Sequence, residues 1–145
     1  MRTRRTITAA AAVALLALGL AGCKIGGENA ADIGPAQVIP TAAGNVIGRI
    51  KIEVYHEPRA FEAHAELLYY DVDQWVVMDD KRYYKHNLPP KNKDEWMKPF
   101  LESYCVKGRW RIKAHIIAIL SDGTHERREV TWPGGKGSFR IRRCN

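Results

Sequence analysis

Glu62, His64 and Glu66 stand two residues apart, and each can bind a metal ion. Alternate residues of a strand share one face at about 6.5–7 Å spacing. A carboxylate, an imidazole and a second carboxylate would therefore line up, with His115 or another acid completing a divalent-metal site for a small hydrolase. Side chains spaced by the pleat are far apart for bonds of about 2.1 Å to one ion, and the same row serves equally as a solvated polar face. Asp71, Asp73, Asp79 and Asp80 are acids near a turn that could hold calcium, but they lack the glycine-containing spacing of a calcium loop. His56, His86 and His125 fall at expected turns.

Nucleophilic chemistry has little to work with. Ser103, Ser121 and Ser138 are the only serines, and none sits in a Gly-x-Ser-x-Gly elbow. There is no phosphate-binding glycine loop and no Cys-x-x-Cys pair. These observations name no catalytic residue and no cofactor, and they favour a binding module over an enzyme. The candidate binding residues are aromatic. Tyr83, Tyr84, Trp96 and Phe100 lie in the long connection between Asp79 and Tyr104, where exposed rings could stack on sugars or anchor a protein partner. The competing reading has Trp75, Trp110 and Trp132 filling the core while the tyrosines cap its edges.

The chain opens with Arg2, Arg4 and Arg5, then an apolar run from Ile7 to Leu20 and a small-residue ending. That is the anatomy of an export signal over residues 1–22, with an apolar run short for a bilayer span. Leu20-Ala21-Gly22-Cys23 resembles the lipobox of bacterial lipoproteins. The resemblance covers only these residues. It implies that Cys23 becomes a lipidated N-terminus and that the chain is held at the extracytoplasmic face of the cell membrane. Residues 24–44 are rich in Gly, Ala, Asn and Pro, with few apolar side chains to offset the entropy of ordering. Together with Cys23 they are expected to form a flexible tether, holding a single β-rich domain over residues 45–145 roughly 25 Å from its anchor.

The formal net charge is +7. With three arginines leaving in the signal, 20 Lys and Arg remain against 16 Asp and Glu, a net of +4. The charge is polarised, with 10 basic and 12 acidic residues in 23–100 against 10 and 4 in 101–145. Outside the cytoplasm nucleic acid is excluded as the partner of a basic face. An anionic surface, a wall polymer or an envelope protein remains, as does the plain reading of solvated edge lysines and arginines.

Alternation with period two places the strands. Ile50, Ile52 and Val54 oppose Arg49, Lys51 and Glu53; Phe61, Ala63, Ala65, Leu67 and Tyr69 oppose Glu62, His64, Glu66 and Leu68; Trp110, Ile112, Ala114, Ile116 and Ala118 oppose Arg109, Arg111, Lys113 and His115. Trp75 to Met78 could be an inner strand, Asp94 to Met97 one short helical turn, and Asp79 to Ser103 a long, partly ordered excursion. Asp122-Gly123 suits a tight hairpin, after which Glu126 to Trp132 and Phe139 to Arg142 would complete a C-terminal three-strand meander. The fold class expected is mainly β, a small antiparallel β-sandwich of immunoglobulin-like architecture.

Cysteines 105 and 144 are the pair left once Cys23 carries lipid, and an exported chain permits a disulfide between them. An up-down-up meander would put them at opposite ends unless Cys105 lies back along the sheet. The function expected is a lipid-anchored, non-enzymatic binding or interaction module at the cell envelope. A small metal-dependent hydrolase and a structural envelope-assembly component are the alternatives.

Overall fold

The computed structural model describes residues 23–25, 31–54, 60–85, 94–120 and 122–145. The signal segment, the turn at residues 57–59, His56, His86 and Ser121 lie outside the described residues. The chain forms two antiparallel sheets, a small β-sandwich. The first sheet holds β1 (Cys23–Ile25), β2 (Ala31–Pro40), β3 (Asn45–Val54), β6 (Asp94–Trp96) and β7 (Leu101–Tyr104). In it β1 pairs β2, β2 pairs β3, and β6 and β7 follow one another along β3. The second sheet holds β4 (Ala60–Asp71), β5 (Gln74–Lys85), β8 (Gly108–Ile119), β9 (His125–Trp132) and β10 (Phe139–Ile141), in the order β10-β8-β4-β5 with β9 also on β8.

The expected alternation builds the core. Val46, Ile50 and Ile52 of β3 and Phe61, Ala63, Ala65 and Leu67 of β4 are buried. So are Trp110, Ile112, Ala114, Ile116 and Ala118 of β8. Gly48 sits inward among Leu67, Leu101 and Ile112, where a Cβ would come within 3.1–3.2 Å of their side chains. A glycine here lets the sheets close together. Trp110 is fully buried, donates its indole N–H to the Val106 carbonyl at 3.0 Å, and packs on the Tyr69 ring at 5.1 Å.

Four expectations are corrected. The stretch read as a tether contains β2, which pairs β3 from Ala31↔Val54 to Pro40↔Val46 and buries Ala36 and Val38. Gly34, Pro35 and Pro40 interrupt it with residues depleted from strands, and the backbone ladder with β3 holds it despite them. The described residues contain no helix, and Asp94–Trp96 is the edge strand β6. Within the excursion after Asp79 the described residues are mostly strand: β5 runs on to Lys85 as an edge strand, not an inner one, and β6 and β7 follow, while residues 86–93 lie outside the described residues.

The C-terminal meander is in fact a long hairpin with an interrupted second arm. Ile112 faces Trp132, yet Trp110 faces Phe139, so the partner advances seven residues where two would suffice, an excess of five. The loop spans Pro133 to Ser138, and β10 then resumes on the same edge of β8 in the direction of β9. That direction carries Cys144 back to the start of β8, where its Cα lies 5.7 Å from that of Cys105 at disulfide distance.

The cross-link closes a separation of 39 residues. Replacing either cysteine with alanine should cost about 4 kcal/mol on the chain-entropy model, read as a sharply lowered Tm, with the double variant little worse than either single one. Two titratable thiols in the native oxidised protein would reject the bond.

Candidate binding face

The outward side chains of β5, β4, β8 and β9 form rows fixed by strand register. One row runs Arg82, His64, His115, Glu129, and the next runs Tyr84, Glu62, Ile117, Arg127. Below them come Asp80, Glu66, Lys113 and Thr131. Glu62, His64 and Glu66 therefore do share one solvent-facing side, as their spacing required. They do not converge on an ion: among the described residues no group of three or more His, Cys, Asp or Glu side chains is placed to hold one. The pleat keeps the three apart, and His64 turns its Nε2 to the Asp80 carboxylate at 3.0 Å.

The histidines His64 and His115 are directly opposed across β4 and β8. His115 Nδ1 lies 3.3 Å from Glu129, which also takes Lys113 Nζ at 3.2 Å. Each imidazole is thus oriented by one carboxylate at the edge of a shallow concavity of about 320 Å³ lined by Glu62, His64, Arg82, Tyr84, His115 and Ile117. A second hollow of about 280 Å³ continues it past His115 toward Arg127 and Glu129. Together they make an open trough whose lining is mostly apolar, rimmed by the charged and hydrogen-bonding ends of these side chains.

Toward the other end of the same face, arginines sit over aromatic rings. The Arg109 guanidinium is 3.8 Å from the Tyr70 ring centroid and that of Arg111 is 4.3 Å from Trp75, while the two rings stand 5.1 Å apart. Arg111 also donates its Nε–H to the Gly137 carbonyl at 2.7 Å. Trp75, one of the three tryptophans considered for the core, is outward here; Trp110 and Trp132 are the buried ones. The outward parity of Arg109 and Arg111 was readable, but which rings they cover depends on a register that no local signal encodes.

The aromatic candidates do not form one surface. Tyr84 is 53% exposed on the trough. Trp96 lies on the outer face of the other sheet, with Arg49 at 4.3 Å and Lys51 at 4.9 Å from its ring. Phe100 is half-buried. Tyr83 is buried, and its hydroxyl donates to the Pro99 carbonyl at 2.7 Å, so it belongs to the framework.

The acids near the β4–β5 hairpin are equally divided. A register shift between Leu67 and Leu68 turns Asp79 inward, where its carboxylate accepts the Glu102 N–H at 2.8 Å and meets Lys81 Nζ at 3.1 Å, whereas Asp80 faces outward. Burial, with Asp79 adding to it, pushes the Tyr83 hydroxyl up to about 12 from 10.0. The folded-state value is the raised one, so Tyr83 contributes its full stability below pH 10 and loses it as pH climbs toward 12.

Tyr83→Phe should cost about 1 kcal/mol at pH 8 through the lost hydrogen bond. The native protein should lose stability more steeply than the variant between pH 10 and 12. Parallel urea-unfolding profiles across that window would show that the hydroxyl is not held neutral.

Comparison of the chain with protein-family models, with curated proteins and with solved structures finds no match to any of them.

Proposed function

We propose that this chain is a lipid-anchored binding module on the extracytoplasmic side of the cell membrane, without catalytic activity, and that its recognition surface is the outer face of β5, β4 and β8. The lipobox-like Leu20-Ala21-Gly22-Cys23 supports the anchoring. The observation that carries the binding role is the arginine–aromatic ladder of Arg109 on Tyr70 and Arg111 on Trp75. A guanidinium stacked on a ring has already given up much of its side-chain freedom, while its in-plane N–H donors still point sideways toward carboxylate, phosphate or hydroxyl acceptors. The ligand thus has less ordering to offset on binding. Envelope proteins, wall polymers and anionic surfaces all carry such acceptors.

The strand order supports the finer reading of an immunoglobulin-like architecture. β2, β3 and the β6–β7 pair form one sheet, while β5, β4, β8 and the β9–β10 arm form the other, with the chain crossing between sheets after β3, β5 and β7.

Cys23→Ser should release the protein from the membrane fraction or leave its precursor uncut, and an N-terminal peptide still bearing acyl mass would defeat the anchoring. For the face itself, a photo-cross-linker at Arg82 on the trough should capture an envelope component in intact cells, and one at Gln37 on the first sheet should not. Equal capture from both positions would remove the assignment of the face.

A further inference from the structure

Basic side chains gather at the end of the sandwich remote from Cys23. Cys23 pairs Ile33, which pairs Ile52 near the end of β3 that leads into β4. At the opposite end, Lys107, Arg140 and Arg142 line an open hollow of about 420 Å³ with Gly108 and Ile141. Arg109 faces Arg140 across the β8–β10 pairing, and Arg111 follows two residues farther along the outward side of β8. Both guanidinium groups lie over rings, of Tyr70 at 3.8 Å and of Trp75 at 4.3 Å. Among the described residues no ion pair joins an acid to any of these cations, Asp71 and Asp73 of the neighbouring β4–β5 turn included.

We propose that Lys107, Arg109, Arg111, Arg140 and Arg142 form a binding path for a linear polyanion of the cell envelope whose charges are phosphodiester groups. The proposal rests on the binding role of this face and names the ligand of its basic end. Arg109 and Arg111 stand about 6.5–7 Å apart along one strand, with the hollow beyond Arg109. The cations are thus strung out too far for one small anion and suit charges repeated along a chain. Their side chains present N–H donors alone. A polymer of sugar hydroxyls would leave its own donors unmet on such a path, whereas phosphodiester oxygens only accept. A carboxylate offers its two oxygens in one plane to a single fork; those of a phosphodiester diverge and suit cations on two strands, as Arg109 and Arg140 are. The rings that would anchor a protein partner are covered by the guanidinium groups. The membrane holding Cys23 is out of reach, since β8 alone, Gly108–Ile119, rises about 35 Å and surface charge decays over about 8 Å.

The test titrates the full processed chain, purified in a nonionic detergent, with short poly(glycerol phosphate) by calorimetry. Binding should weaken as salt rises, and the slope of log K against log salt should fall by about 0.7 for each cation removed, as counterion release requires. Arg140→Gln and Arg142→Gln should each raise Kd about fivefold or more. Arg49→Gln, on the outer face of the other sheet, should leave it unchanged. If the Arg140 variant folds poorly, Arg142→Gln, outside the strands, carries the measurement.

No binding, or an equal loss with Arg49→Gln, rejects the path. A polygalacturonate of matched length and charge that binds as tightly rejects the phosphodiester choice. Free glycerol phosphate that competes equally at the same phosphate concentration rejects a chain-like ligand. Cross-linking from Arg82 reads the binding role separately: capture of an envelope component by a chain that ignores the polymer keeps that role and rejects this ligand.

Discussion

Strand β8 is hydrogen-bonded along both edges, to β4 from Trp110 through Ile119 on one side and to β9 and then β10 on the other. A strand held on both sides buries its inward face completely, and the alternating Trp110, Ile112, Ala114, Ile116 and Ala118 are its contribution to the core. Because β9 and β10 share one edge, they must run the same way, and the residues between them can only loop out. Pro133 cannot donate to a ladder and Gly135 sits at φ +65°, so this is the segment least able to stay in register. The return of Cys144 to Cys105 and the register pairing of Arg140 with Arg109 follow from that geometry.

The opposite edge of the second sheet meets a different constraint. β5 has a free side, and free strand edges invite pairing with other chains. The register shift beside Leu68 turns the side chains of Asp79, Lys81 and Tyr83 beneath the strand, opposite the buried Leu67, Ala65 and Ala63. Charged residues pointing inward on an edge strand are unusual, and here they are satisfied: Asp79 takes the Glu102 N–H and Lys81, and Tyr83 reaches Pro99. These bonds tie the edge of one sheet to the segment running into and along β7 of the other. The cost of burying polar groups is offset by closing a side of the sandwich.

Legibility in the sequence followed the same physics. β3, β4 and β8 could be read because burial on one face and water on the other impose a period of two, and Asp122-Gly123 because positive φ favours Gly; Gly123 sits at φ +84°. β2 could not be read, since Gly34, Pro35 and Pro40 break up the few apolar residues of a strand that is held by its ladder with β3. Nor could the β4–β5 hairpin, whose turn puts Val72 and Asp73 at φ 37° and 67° with no glycine. There the long flanking strands dictate the turn rather than the reverse. Of the candidate site, face and parity were visible for Glu62, His64 and Arg109, whereas partners were not. The inward turn of Tyr83 and the outward turn of Trp75 depend on a bulge and a register, and both are settled only when sheets pack.

The outer face of the second sheet is divided along its strands. Lys107, Arg140 and Arg142 gather where β8 begins and β10 ends, beside the Cys105–Cys144 link and the Gly44 turn. The trough with His64, His115 and Tyr84 lies farther along β8 and β4, toward the Ala60↔Ile119 end. Cys23, paired with Ile33 and through it level with Ile52, belongs to the end of β3 that leads into β4, not to the end where the cations gather. The two stretches differ because β8 changes partner from β9 to β10 between them, so the same outward parity of one strand meets Glu129 on one arm and Arg140 on the other.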